Sequence, residues 1–170
     1  RSIFDNAISG IFQSTVQGTI VSANSAFARM LGYHSPEELI DSISDVAIQG
    51  YVNAKVREEF LAQLFVKRQV MNFEAELYRK DRSTVWVIIN ANLVLDSQGA
   101  IRYIEGTCVD ISDRKRAERQ LLQYRDGLEQ LVEERTQALS AANQELAAMN
   151  EEMSALNDNL TSANQKLNTE

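Results

Sequence analysis

The chain has 170 residues, 44% of them hydrophobic and 24% charged, enough for one domain with a real core plus an extension. Its net charge of -7 excludes nucleic acid or an anionic membrane as the main partner, because either would need clustered Lys and Arg. A single cysteine, Cys108, excludes an internal disulfide framework and a cysteine zinc cluster, and fits a reducing compartment.

The one basic run, Arg114, Lys115, Arg116 and Arg119, falls at a helix start and reads as a solvated face. No stretch approaches the roughly 18 apolar residues of a membrane span, and the first residues carry no signal-peptide pattern. A cytoplasmic location with no membrane contact in this segment is therefore expected.

Residues 1–112 alternate short strand-like and helical stretches and hold all but one of the glycines and the only proline. Gly10 to Thr15 and Thr19 to Ala23 flank a Val16-Gln17-Gly18 turn, which predicts a hairpin. Asn24 or Ser25 caps a helical turn carrying Phe27, Met30 and Leu31 and closed by Gly32. Ser35-Pro36-Glu37-Glu38 places a capping serine, a first-turn proline and a third-position glutamate in order, which predicts a second short helix. From Val52 to about Gln69, the residues Val52, Val56, Phe60 and Leu64 recur every four positions, with Leu61 and Phe65 widening the stripe.

Three longer strands follow. Phe73, Ala75 and Leu77 alternate with polar partners in the first, and Val85, Val87, Ile89, Ala91 and Leu93 form one face of the second. The third, Ile101 to Ile111, is joined through Asp96-Ser97-Gln98-Gly99. The order predicts an α+β domain, a five-stranded antiparallel sheet with helices on one face.

Three motifs carry a resemblance to the PAS family over about residues 1 to 113. They are Asn24-Ser25-Ala26-Phe27 leading to Leu31-Gly32-Tyr33 and Ser35-Pro36-Glu37-Glu38-Leu39, Arg79-Lys80-Asp81 before Val85-Trp86-Val87, and Tyr103-Ile104-Glu105-Gly106 before Asp110-Ile111-Ser112. The departure is Arg82, where the family's hairpin usually has glycine, so the turn is expected to be wider or to find its positive-φ residue elsewhere. The resemblance implies that Asp110 anchors the passage from sheet to helix near Ser112, by pairing with a basic residue of the Arg79-Lys80 hairpin. Simple capping by Asp110 or Asp113 is the other reading, and the two are compatible.

A PAS-like sheet curled around its helices would present Phe73, Ala75, Leu77, Val87, Ile89, Ala91, Ile104, Gly106 and Cys108 inward, as core or as a ligand wall. Ala91 and Gly106 would leave space near the centre. The flavin-binding branch needs a cysteine on the helix after Pro36 and amides where Leu77 and Val87 stand, so flavin is not expected. Haem-binding relatives use a histidine on the helix from Val52, which has none, and His34 sits in a turn. Met71 and Cys108 are possible iron ligands without visible support, and a buried Cys108 is expected to be inert. The cofactor therefore stays unknown, and a small, mostly apolar ligand or no ligand is expected.

Residues 113–170 never leave a helical pattern. Leu139, Leu146, Met153, Leu160 and Leu167 fall at one heptad position, and Ala142, Met149, Leu156 and Ala163 three residues later. Upstream, Ala117, Leu121, Tyr124, Leu128 and Leu131 follow the same steps, and the two registers join through a stutter at Arg135. Such a helix needs a partner for its stripe, and a homodimer is the simplest. Leu131-Val132-Glu133-Glu134-Arg135-Thr136 looks like linkers that precede histidine kinase or diguanylate cyclase modules.

The expected function is a sensory input module of a bacterial signal-transduction protein, such as a two-component sensor, whose coiled-coil helix relays a cue to an effector beyond Glu170. The alternative is a ligand-free dimerisation or protein-interaction module. No nucleotide loop, catalytic triad or metal cluster is visible, so the segment is expected not to be an enzyme.

Overall fold

A computed structural model describes residues 2–167, with side chains described for 4–164. Residues up to Ala117 form one compact unit and the chain from Glu118 a second. The first unit has the predicted five-stranded antiparallel sheet, β1 (Gly10–Ser14), β2 (Ile20–Ala23), β3 (Gln69–Tyr78), β4 (Thr84–Leu95) and β5 (Ile101–Asp110), in the order β2-β1-β5-β4-β3.

Between β2 and β3 run α2 (Ser25–Met30), α3 (Pro36–Ser42), α4 (Val46–Gln49) and α5 (Ala54–Lys67), after a short α1 (Ser2–Asn6). α1 and α4, of five and four residues, lie outside the sequence expectation because neither is long enough to show a helical period.

The sheet's inner face holds Ala75, Leu77, Val85, Val87, Ile89, Ala91, Ile104 and Cys108, all buried against Phe27, Leu39, Phe60 and Leu64 of the helices. Asn24 is fully buried and meets every hydrogen-bonding need of its amide. Its Oδ1 accepts from the N–H groups of Ile11 and Phe27, each at 2.9 Å, and its Nδ2 donates to the carbonyls of Phe4 and Ser9, each at 3.0 Å. One side chain thus caps α2 and ties α1, β1 and α2 together.

α5 departs from its predicted stripe. Arg57, Phe60 and Leu64 form the buried edge, whereas Phe65 is exposed and Val56 and Leu61 are only partly covered. The helix stops at Arg68 in the left-handed conformation, so Gln69 begins β3 rather than ending the helix. A bulge in β3 puts Asn72 at φ 55°, and the Asn90 side chain accepts its N–H at 2.7 Å.

At the β3–β4 turn the expectation is overturned. Arg82 itself adopts φ 67°, with its N–H donating to the Arg79 carbonyl. The Asp81 side chain accepts from the N–H and the hydroxyl of Ser83, and the Arg82 guanidinium lies 5.4 Å from the Tyr78 ring centre.

The second unit is the remainder of α6 (Ser112–Leu167), a helix of 56 residues and about 84 Å at 1.5 Å per residue. Relieving the left-handed cost at Arg82 by an Arg82→Gly substitution is expected to stabilise the domain by about 0.5–1 kcal/mol, read from chemical denaturation. A loss of stability would mean that the contact with Tyr78 outweighs the backbone cost.

Candidate functional site

The inner face and the α5 edge enclose a cavity of about 30 Å³ lined by Phe12, Ser14, Ile20, Phe27, Val46, Tyr51, Arg57, Leu77, Ile89 and Cys108. Of the nine residues expected to form a ligand wall, Leu77, Ile89 and Cys108 line it. Ala75, Val87, Ala91 and Ile104 are buried core, and Phe73 packs edge-on against Phe60 with ring centres 5.3 Å apart.

Space was expected at Ala91 and Gly106; the room at the Gly106 Cβ position is taken up, while both residues line a second, more open hollow with Phe4, Met71 and Asn90. A Cβ on Gly106 would stand 2.6 Å from the Asn90 carbonyl oxygen and 2.9 Å from the Phe12 ring. The Phe12 ring, stacked on Phe27 at 5.3 Å, occupies that room and moves the cavity toward Tyr51 and Arg57.

Sequence reasoning missed the polar part of this cavity. Arg57 is only 4% exposed, and its Nη2 has no hydrogen-bond partner; the buried Ser14 hydroxyl likewise has none. The Arg57 Cζ lies 5.7 Å from the Tyr51 ring centre and 5.2 Å from that of Phe60. Burial raises the Tyr51 hydroxyl pKa, and the nearby Arg57 charge acts against that rise.

The signal was present in the spacing. Arg57 precedes Phe60 by three positions and Leu64 by seven, which puts it on the buried face.

Cys108 is fully buried, and burial pushes its thiol far above the ordinary range, so it sits there as a small hydrophobe. Met71 is 63% exposed, and His34 is exposed as well, whereas Cys108 is fully buried. Among the described residues no group of three or more His, Cys, Asp or Glu side chains could hold a metal ion, and no helix is long and apolar enough to cross a membrane.

The junction of β5 with α6 is built from several contacts. Asp110 uses both oxygens, with Oδ2 3.4 Å from the Arg79 guanidinium and Oδ1 accepting from the Ser112 N–H at 2.8 Å. The ion pair with Arg79 is present, and the same carboxylate also holds the first N–H of α6. Lys80 turns elsewhere, to Glu38, with its ammonium 5.8 Å from the Tyr33 ring centre.

β4 continues the grip. Ile111 N–H donates to the Trp86 carbonyl at 2.8 Å, and Trp86 N–H donates to the Ser112 hydroxyl at 3.2 Å. Arg114 and Lys115 both pair with Glu74 of β3, and the Lys115 ammonium lies 5.1 Å from the Trp86 ring centre. Hydrogen bonding from Lys115 chiefly, with Arg114 adding, holds the Glu74 carboxyl below its ordinary pKa.

Along the rest of α6 the expected seam residues Leu121, Leu128, Leu139, Leu146, Met149, Met153, Leu156 and Leu160 are all exposed. Leu167 lies outside the residues whose side chains are described.

Comparison with known proteins places this geometry. The voltage-gated delayed rectifier potassium channel KCNH1 of Rattus norvegicus is 27% identical over 97 residues, which is 57% of this chain and 10% of the channel; the chain thus spans about a tenth of that relative. The sensory box histidine kinase/response regulator of Burkholderia thailandensis matches with a TM-score of 0.57 at 20% identity, over 76% of this chain and 96% of that one.

A light-oxygen-voltage domain described with a flavin analogue matches with a TM-score of 0.53 at 20% identity, over 72% and 92% of the two chains. The fold is thus one shared with light-oxygen-voltage domains, and the expectation against a flavin rests on this chain's residues alone. The family model described as PAS domain matches residues 8–113, most of the chain, and the chain belongs to the PAS domain family.

Proposed function

We propose that this chain is a non-catalytic sensory input module: an inner-cavity ligand biases the β5–α6 junction, and a parallel pair of α6 helices relays the change to an effector such as a histidine kinase or diguanylate cyclase. The observation that carries the reading is the shortness of the path. Cys108 lines the cavity, and two residues later Asp110 binds both Arg79 and the first residue of α6. A signal of this kind requires a ligand with different affinities for two junction arrangements.

The second copy is proposed for α6 because its exposed apolar residues repeat every seven positions for four turns of the pattern, a seam that a like helix matches along its length. A cavity of about 30 Å³ supports a ligand of a few heavy atoms, well below the about 300–1,000 Å³ of sites for drug-sized ligands. Occupation of a reducing, cytoplasmic compartment is part of the same proposal.

Asp110→Ala removes one exposed ion pair and one helix-start hydrogen bond, so it is expected to cost about 1 kcal/mol in stability while uncoupling the output of the parent protein from its cue. Unchanged regulation in the full-length protein would remove Asp110 from the relay.

Light scattering of the purified chain is expected to give a dimer. A Leu139→Asp/Leu146→Asp double variant is expected to be monomeric with an intact sheet by circular dichroism. A monomeric wild-type chain at high concentration would end the relay account.

Trp86, the only tryptophan, offers a direct view of the junction. Because the folded-state pKa of Glu74 is depressed, its contribution is present above the ordinary value of 4.5 and is lost as pH falls through the lower folded value. A fluorescence transition of Trp86 on the acid side of the ordinary glutamate value is expected, absent in Glu74→Gln. The same transition in that variant would detach the signal from this ion pair.

A further inference from the structure

We infer that the inner cavity is a site for a short-chain carboxylate, held head-first by Arg57 and Ser14. This rests on the reading of the domain as a ligand-operated sensor and names the ligand's chemistry.

A guanidinium carries a positive charge, and in the interior such a charge is costly unless it is paired. No carboxylate of the described residues pairs with it. It meets the ring faces of Tyr51 and Phe60 and the Tyr51 hydroxyl, and its Nη2 is left without an acceptor. Across the same cavity the Ser14 hydroxyl, 2% exposed on β1, is also without a partner.

Two buried polar groups with unmet hydrogen bonds, one of them positive, open into a chamber whose remaining walls are largely aliphatic and aromatic. The complementary ligand is negative at one end, rich in acceptors and apolar at the other. A planar carboxylate matches the guanidinium fork and has a second oxygen for the serine hydroxyl. A cation would be repelled by Arg57, and a neutral hydrocarbon would leave both orphaned groups as they are.

Size narrows the class further. One water needs about 10–15 Å³ of such space, so about 30 Å³ holds two or three water-sized groups, as many as the two oxygens and the methyl group of acetate. Acetate fits this description, propionate is one group larger, and aromatic acids and sugar phosphates exceed it by far.

The site also touches the output path. Cys108 of the cavity wall pairs with Ile89, another wall residue, and Asp110 pairs with Val87 in the same ladder.

The test uses the 170-residue chain in chloride-free buffer, titrated by calorimetry and by thermal unfolding with acetate, propionate and chloride at matched ionic strength. Acetate is expected to raise the melting midpoint by about 5 °C at ten times its dissociation constant and to bind more tightly than propionate, and chloride is expected to give no rise. Arg57→Met is expected to melt higher than wild type without ligand, because a buried unpaired charge is gone, and to lose the carboxylate response. Ser14→Ala is expected to weaken binding about tenfold.

No carboxylate response in the wild type, an equal response to chloride, or a response kept in Arg57→Met would each overturn the inference. Those outcomes leave the sensor reading standing, since it is decided by the Asp110 variant and the oligomeric state. Should Arg57→Met fail to fold, ¹³C-methyl acetate decides the question by nuclear Overhauser contacts. Contacts with Ile20 and Ile89 support the site, and contacts confined to surface residues overturn it.

Discussion

Everything in the sensory unit depends on the two-residue alternation of β3, β4 and β5 held in one register. Pairing of Ile89 with Cys108 and of Ala75 with Val87 sends apolar side chains to the helices. The intervening residues, Glu74, Trp86 and Ile88, then face the other way. A slip by one residue would exchange the faces, so the cavity wall and the platform that grips the start of α6 exist only together. The inner and outer faces are coupled because they are the same strands.

The unit also shows two treatments of buried polarity. Asn24 is enclosed with all its needs met, and it orders three elements at once. Arg57 is enclosed with a need unmet, which is costly in a low-dielectric interior. The contrast is between a buried polar side chain that is fully satisfied and one that is not.

Periodicity made most of the architecture legible. Strand alternation, the caps at Asn24 and Ser35, and the heptads from Leu139 each leave a local mark in the sequence, and each corresponds to an element that forms. What escaped depends on non-local packing. The four-residue α4 has no period to detect, and the filling of the Gly106 hollow by Phe12 joins residues 94 positions apart. Arg82 at positive φ ran against the rule that such turns take glycine, and here Asp81, Ser83 and Tyr78 hold it in place. Arg57 was passed over because an arginine beside Glu58 and Glu59 looks solvent-facing until its spacing to Phe60 and Leu64 is counted.

The strand order has a consequence for the birth of the molecule. β5 lies between β1 and β4, so the central strand is the last of the five to leave the ribosome, and its bonding of Gly10 to Cys108 closes nearly the whole domain. Until then the nascent chain carries a finished β1–β2 hairpin and a finished β3–β4 hairpin, each with a naked edge that a neighbouring polypeptide could take. The residues of α6 are translated directly after that strand, so a chain that stalls before it has neither a closed sheet nor the long helix.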